Sequence, residues 1–355
     1  MKTTSHILYG VLNWGLGHAT RSVPVIRALI DHGFTPVIAS DGAALDYLRG
    51  VFKDLPFEKL PGYEVHYSKR AFVFNIVTQL PRIGKAVRSE RSIAKELVAK
   101  YDAKGIVSDN RLGFYNHQVP SAFITHQLKI ILPFPASLAN AIHHNYINKF
   151  NACWVPDFED EKYSLAGTLT HTNLPKIPTH YIGPLSQLRS ISGQPDAYDA
   201  VAILSGPEPQ RSILEEVLLK QMEKSKGRYF LVRGTSNVQP LHTAIPHTDL
   251  LTGPAIAELI SKATLVISRS GYSSLMDYYF IGNKALLIPT PGQAEQEYLG
   301  DYLRQQQKFY SVNQNMIDLE DDMEKALKYP GFDGLKRKTT DWKSLFGLFE
   351  GKGKS

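Results

Sequence analysis

The strongest constraint on how this chain can fold is a repeated alternation. Short apolar runs rich in β-formers end in small or polar residues and lead into segments of helical period. "HILYGVL" (6–12) reads as a strand and "VPVIRALIDHG" (23–33) as an amphipathic helix ended by Gly33. "TPVIAS" (35–40), "GIVSD" (105–109) and "SAFITHQ" (121–127) continue the series. Near-continuous apolar strands separated by helices call for a parallel sheet covered on both faces. At 183–200 the texture breaks into "GPLSQLRSISGQPDAYDA", whose Gly, Ser, Pro and Asp read as a linker. The alternation then restarts with "AVAILSG" (200–206), "RYFLVRG" (228–234), "ATLVISRS" (263–270) and "ALLIPT" (285–290). The expected fold class is therefore α/β, with two Rossmann-like domains, 1–187 and 188–335, facing across a cleft. A terminal segment, 336–355, carries "KTTDWKSLFGLFEG", an amphipathic helix in need of a surface, which the N-terminal domain could supply. A chain of 355 residues exceeds what one hydrophobic core usually supports, in keeping with two domains.

Composition bounds the setting. Hydrophobic residues at 43% and charged residues at 21% describe a globular protein. Cys153 is the single cysteine, so no internal disulfide can form, and a reducing compartment is expected. The opening run is broken by Asn13 and Gly15 and is not read as a secretory signal. The longest uncharged stretch, "IILPFPASLANAIHHNYIN" (130–148), is interrupted by prolines, histidines and asparagines and makes a poor membrane span. A cytoplasmic location is expected. The basic excess lies in one half: 20 Lys and Arg against 14 Asp and Glu in residues 1–187, and 20 against 20 in 188–355. That suits an anionic acceptor, anionic lipid or nucleic acid, or else is a solvated basic face with no partner. No helix-turn-helix, zinc-finger or aromatic RNA-binding motif supports nucleic acid as a partner.

In open α/β sheets ligands sit beyond the carboxyl ends of strands, so candidate chemistry is sought there. The first strand is followed by "NWGLGHATRS" (13–22), in which Gly15 and Gly17 allow a tight turn and close backbone approach. Pro24 places the helix start close to His18. A histidine there either serves the structure or takes a proton near neutral pH. "GIVSDNR" puts Asp109 at another strand end, where it either caps a helix or orients His18; Asp41, after "PVIAS", is a weaker competitor. In the second half, "ILSGPEPQRS" (203–212) places Gly206 in a turn, opens a helix whose amides suit a phosphate, and adds Arg211. "SRSGYSS" (268–274) offers Arg269 together with a nest of Ser270, Gly271, Ser273 and Ser274. Asp277 suits a ribose diol, and Glu295 with Gln296 suits sugar hydroxyls.

Together "WGLGHATR" (14–21), "SRSGYSSLMD" (268–277) and "PTPGQAEQEYL" (289–299) resemble the GT-B glycosyltransferases, chiefly the family-28 type, most strongly in the C-terminal half. The resemblance implies a C-terminal domain that binds a nucleotide sugar and an N-terminal domain that receives the acceptor. It implies that Gly206 and its loop face the diphosphate and that Ser270 and Gly271 hold phosphate. It likewise matches Asp277 to the ribose-binding acid, usually Glu, Glu295 with Gln296 to the donor-sugar pair, and His18 to the base. The first loop is poorer in glycine than in that family, and "GPEPQ" stands where a Gly-Gly-Ser type turn is usual.

The resulting expectation is transfer of a sugar from a nucleotide diphosphate sugar, with UDP as carrier, to an acceptor hydroxyl. His18 would be the base and Asp109 its orienter. No Asp-x-Asp motif calls for a metal, and no cofactor is expected beyond the donor. Retaining members of the fold usually carry Glu at the position of Arg269, so inversion is expected. Residues 67–95 interleave Phe72, Phe74, Ile76, Val77 and Leu80 with Lys69, Arg70, Arg82, Lys85, Arg88 and Arg91. That mixture suits an anionic membrane surface, a peripheral location and a lipid-linked or glycan acceptor, or else a core face backed by a solvated basic one. Two alternatives remain at this point: a nucleotide-sugar hydrolase or epimerase of the same fold, which the "GxGHxxR" start also resembles, and a non-catalytic nucleotide-sugar-binding protein.

Overall fold

The computed structural model describes residues 5–63, 72–131, 136–191, 197–235, 240–335 and 338–350, with backbone alone for 72–83. The chain forms two compact units. Unit 1 ends at Leu185 and regains the chain from Lys338; unit 2 runs from Ser186 to Arg337. The sequence expectation had put these breaks after 187 and after 335.

Unit 1 holds seven parallel strands: β1 (Ser5–Val11), β2 (Phe34–Ser40), β3 (Phe57–Lys59), β4 (Gly105–Asp109), β5 (Ser121–Ile124), β6 (Ala152–Val155) and β7 (Thr179–Tyr181). Their order is β3-β2-β1-β4-β5-β6-β7. The helices are α1 (Leu16–Asp31), α2 (Gly42–Val51), α3 (Phe72–Tyr101), α4 (Ala136–Ile147) and the single turn α5 (Thr168–His171). Central strands are buried on both sides, as "ILYGV" and "VIAS" require. Leu8, Val37, Ile106 and Phe114 form one core with Ala94 and Leu97 of α3.

Unit 2 repeats the plan with β8 (Tyr198–Ile203), β9 (Tyr229–Val232), β10 (His247–Thr248), β11 (Ala263–Ser268), β12 (Ala285–Leu287) and β13 (Tyr310–Ser311), ordered β10-β9-β8-β11-β12-β13. Around them lie α6 (Gln210–Met222), α7 (Pro254–Ser261), α8 (Tyr272–Ile281), α9 (Ala294–Gln305) and α10 (Leu319–Leu327). Its core joins Leu214, Leu218 and Met222 of α6 to Leu265, Ile267 and Leu286 of the sheet.

The terminal helix α11 (Trp342–Phe346) belongs to unit 1. Phe346 and Phe349 are buried against Phe34 and Trp154, with ring centroids 6.0–6.2 Å apart. The absence of a side chain at Gly105 makes the room: a Cβ there would stand 2.2 Å from the Phe349 ring.

α1 begins at Leu16, close to His18 as expected, which leaves Pro24 inside the helix. An interior proline costs about 3 kcal/mol. The anchoring of His18, Arg21 and Ser22 on Asp109, described below, offsets it.

Both sheets reverse their strand order at one place, between β1 and β4 in unit 1 and between β8 and β11 in unit 2. Helices leave opposite faces of the sheet there, and the loops part to leave a crevice. The registers Val11↔Asp109 and Ile203↔Ser268 bring the strand ends on either side of each reversal together. The residues singled out above sit at those ends.

Candidate functional site

In unit 1 the reversal joins the start of α1 to the end of β4. Asp109 is fully buried, and its Oδ1 accepts from His18 Nδ1 at 2.8 Å. Arg21 donates through Nε to Oδ2 at 2.8 Å and through Nη2 to Oδ1. Ser22 Oγ lies 2.7 Å from the His18 carbonyl and 3.4 Å from Asp109 Oδ2. Arg21 Nη1 is 3.0 Å from His126 Nδ1, and because a guanidinium only donates, that nitrogen accepts. Burial alone would raise Asp109, but Arg21 and His18 beside it hold the carboxyl well below the usual carboxylate range. Burial, then the Arg21 charge, lowers His18 from its ordinary value against the pull of Asp109. The imidazole is thus neutral at pH 7. It donates through Nδ1, which leaves the lone pair on Nε2, the arrangement a general base needs.

Asp41, the competitor for orienting His18, is engaged elsewhere. It accepts from Asn13 Nδ2 at 3.1 Å and pairs with Arg111, which also binds the buried Glu90 at 2.7 Å. Gly17 lies in the first turn of α1, where its carbonyl accepts from Thr20 Oγ1 at 3.1 Å.

In unit 2 the reversal gathers the β8–α6 loop, the start of α8 and the turn after β12. Gly206 has φ +101°, a conformation that side chains disfavour, and its missing Cβ would stand 3.5 Å from Thr290 Oγ1. The first α8 hydrogen bond runs from Leu275 N–H to Gly271 O at 3.1 Å, which leaves the preceding amides without helical acceptors. The hydroxyls of Ser273 and Ser274 are half-buried and have no partner among the described residues. This end of α8 can take an anion. Glu295 is partly buried in the first turn of α9.

Several expected contacts are corrected. α6 does not keep its amides for phosphate, because Glu208 Oε2 already accepts from Ser212 N–H at 3.3 Å. Arg211 is no free cation: Glu208 and Glu215 each hold its guanidinium at 2.6 Å. Arg269 is buried, and both terminal nitrogens bind protein oxygens: the carbonyls of Ile288 and Pro289, that of Gln210, and Gln314 Oε1. It ties loops together instead of reaching outward. Ser270 Oγ donates to the Gln296 carbonyl at 2.7 Å, and Gln296 Oε1 accepts from Thr290 N–H at 2.9 Å. Both bonds fix the 290–296 turn and commit the Ser270 hydroxyl proton to it.

Asp277 is the unusual group. Burial pushes its carboxyl up to about 7, against a hydrogen bond from Ser186 Oγ, and no cation among the described residues pairs with it. In the same unit Arg269 Nε, Thr290 Oγ1 and Gln293 Oε1 are buried with no hydrogen-bond partner among the described residues. Such atoms are uncommon in protein interiors and mark a place where a polar ligand or water completes the set. Arg21, His126, Ser186, Thr290 and Gln293 were not among the candidates read from sequence. Arg21 had a signal, standing three residues after His18 and so on the same helix face.

Among the described residues no group of three or more His, Cys, Asp or Glu could hold a metal ion, and no helix is long and apolar enough to cross a membrane. Of the basic-apolar stretch 67–95, residues 67–71 and the side chains of 72–83 lie outside the described residues. In the remainder Lys85, Arg88 and Arg91 are exposed, while Ala86, Val87 and Glu90 face inward.

Residues 201–341 match the glycosyltransferase family 28 C-terminal domain. Along nearly its whole length the chain is similar in fold to solved glycosyltransferases. One is a UDP-glucosyltransferase from Polygonum tinctorium capable of glucosylating indoxyl, with 14% identity, 99% of each chain covered and a TM-score of 0.62. Another is MurG of Acinetobacter baumannii, with 13% identity, 98% of this chain and 99% of that one covered, and a TM-score of 0.58. A third is Arabidopsis thaliana UGT89C1 complexed with UDP, with 13% identity, 98% and 99% covered, and a TM-score of 0.64. No curated protein matches the sequence. At these identities the likeness shows the fold, which is GT-B with two Rossmann-like domains.

Proposed function

We propose that this chain, a glycosyltransferase by its family 28 C-terminal domain and its GT-B fold, transfers a sugar from a UDP-sugar to an acceptor hydroxyl with inversion and without a metal. The observation that carries the proposal is the His18–Asp109 pair, held at 2.8 Å with His18 kept neutral and its Nε2 unprotonated. In the reaction Nε2 takes the acceptor proton as the acceptor oxygen bonds to the anomeric carbon. The bond from that carbon to the diphosphate oxygen breaks, and its electron pair leaves with the diphosphate. Asp109 stabilises the imidazolium, a contribution of roughly 10²–10⁴-fold for such a base.

Unit 2 supplies the donor side. The α8 amides with Ser273 and Ser274 suit the diphosphate, Asp277 suits the ribose, and Glu295 suits the sugar. Inversion is supported by Arg269 standing where a retaining enzyme would need a carboxylate. Metal independence rests on the absence of an Asp-x-Asp motif and on the helix terminus as the source of positive potential. The exposed Lys85 and Arg88 on α3 favour an anionic acceptor, lipid-linked or glycan, or an anionic membrane face in the cytoplasm.

The test is a thermal-shift panel of UDP, GDP, TDP and CDP and their sugar conjugates, with Asp277→Ala and Glu295→Ala as controls. A ligand at about 100 times its Kd adds about 2.7 kcal/mol of stability. Stabilisation by UDP or its conjugates, lost in the controls, is expected; if no nucleotide stabilises the protein, the proposal fails. Donor consumption that needs no acceptor would make the protein a hydrolase instead.

A further inference from the structure

The segment that leads into unit 2 is bound to α8. Ser186 is buried; its Oγ accepts from Leu188 N–H at 2.9 Å and donates to Asp277 Oδ1. The hydroxyl is therefore fixed at both ends, with its proton aimed at the carboxylate. Arg189 closes the turn by donating Nη1 to the carbonyls of Ser186 and Leu188 at 2.8 and 2.7 Å, and its guanidinium lies 5.0 Å from the centroid of the Phe280 ring. Asp277 and Phe280 are three residues apart and so share one face of α8. Residues 186–189 thus form a clasp over that face.

The clasp divides the carboxylate. Oδ1 is taken by Ser186, whereas Oδ2 has no partner among the described residues and is not sealed from solvent. Asp277 is half-buried and meets no cation among the described residues, so its Oδ2 can accept a hydrogen bond from a ligand. We propose that Ser186 is a positioning residue for donor recognition: it fixes the Asp277 carboxylate so that Oδ2 alone faces the nucleotide and reads a single ribose hydroxyl. The inference rests on the donor-binding reading above and deepens it. Holding the acceptor oxygen in place before binding removes the ordering cost from the binding step.

The experiment measures, by titration calorimetry, the binding of UDP, GDP, CDP and ADP and of their 2′-deoxy and 3′-deoxy forms to the full chain and to Ser186→Ala. Serine to alanine in this segment removes no core side chain; an unchanged circular dichroism spectrum and a single cooperative melt without ligand verify the fold, with a modest fall in melting temperature expected from the lost hydrogen bonds to Asp277 and Leu188. Ser186→Ala is expected to weaken the preferred ribonucleotide about tenfold, the size of one hydrogen bond to a charged group. The deficit should vanish with whichever deoxy form lacks the hydroxyl that Oδ2 reads, and persist with the other. Ser186→Thr, which keeps the hydroxyl, should restore most of the affinity. An equal loss with all three forms, no loss, or tighter binding by Ser186→Ala overturns the role of Ser186 and leaves the donor site standing. If none of the four ribonucleotides binds the unaltered chain, the donor reading and this inference fall together.

Discussion

His18 and Asp109 are 91 residues apart in the chain and 2.8 Å apart in space. The distance is closed by topology: β1 and β4 are neighbours in register, and the two residues stand just beyond and at their carboxyl ends. Arg21 then holds the same carboxylate. Asp109 is thus shared between a histidine, which can change charge, and an arginine, which does not.

His18→Ala should therefore lower kcat by about 10²–10⁴-fold while leaving nucleotide affinity unchanged, since His18 is in unit 1 and the groups proposed for the donor are in unit 2. Single-turnover rates beside calorimetric titration of UDP check both halves. A parallel loss of nucleotide affinity would assign His18 to binding instead.

The pH profile follows from the lowered His18. The acid limb of kcat/KM should fall below the ordinary imidazole value of 6.5, because burial and Arg21 both disfavour the imidazolium. Arg21→Met removes that cation, so the limb should move up in pH. The same variant leaves Asp109 buried with its strongest partner gone, and it should lose about 3–5 kcal/mol of stability. Asp109 has a depressed folded-state pKa, so its stabilisation is fully present above the unfolded value near 3.8 and disappears as pH falls below it. The gap between Arg21→Met and the parent should accordingly narrow in acid. Denaturant melts at pH 7 and pH 3 measure it.

The fold was legible because it is written in long periodic runs. The buried strands around residues 7–11, 37–40, 105–109 and 263–268 are apolar on both faces and flanked by helices, which only a parallel sheet explains. The edges were not legible: Phe57–Lys59, His247–Thr248 and Tyr310–Ser311 have two or three residues each, too short for any period. In the site, the strand-end residues could be located but their engagement could not. Arg211 and Arg269 look alike in sequence, yet one is neutralised by Glu208 and Glu215 and the other binds carbonyls, with no acid paired to it among the described residues. Those partners come from separate loops that only the folded sheet brings together. Ser186 lies in a stretch that reads as linker, and nothing local announces that it meets Asp277.

Phe346→Ala should destabilise unit 1 by about 3–5 kcal/mol, the usual cost of emptying a buried aromatic site. Its ring touches Phe34 of β2, Trp154 of β6 and Trp342 of α11, so the cavity is lined from three elements and cannot collapse easily. The unit 2 groups lie elsewhere in the chain. Thermal unfolding should show the loss, with the UDP-induced increment in Tm retained.

Asp277 gives the reverse sign from Asp109. Burial raises its carboxyl to about 7, well above an unfolded value near 3.8, so the folded state binds the proton more tightly. The stability attached to that proton is fully present below the unfolded value and is lost as pH rises toward and through 7. Above 7 the ionised carboxylate is a standing cost of up to about 4 kcal/mol, less to the extent that water reaches Oδ2. Asp277→Asn keeps an acceptor for Ser186 and removes the charge, so it should match the parent near pH 4 and exceed it in stability at pH 8. Nucleotide binding should run the other way. The ionised carboxylate is the better acceptor for a ribose hydroxyl, so affinity of the parent should fall as pH drops below about 7, approaching tenfold per pH unit, with uptake of nucleotide releasing protons. In Asp277→Asn this pH dependence should disappear along with most of the affinity. Calorimetric titrations at pH 6, 7 and 8 in buffers of different ionisation enthalpy read both the slope and the proton release. A parent whose affinity is flat across that range would mean that Asp277 does not meet the ribose.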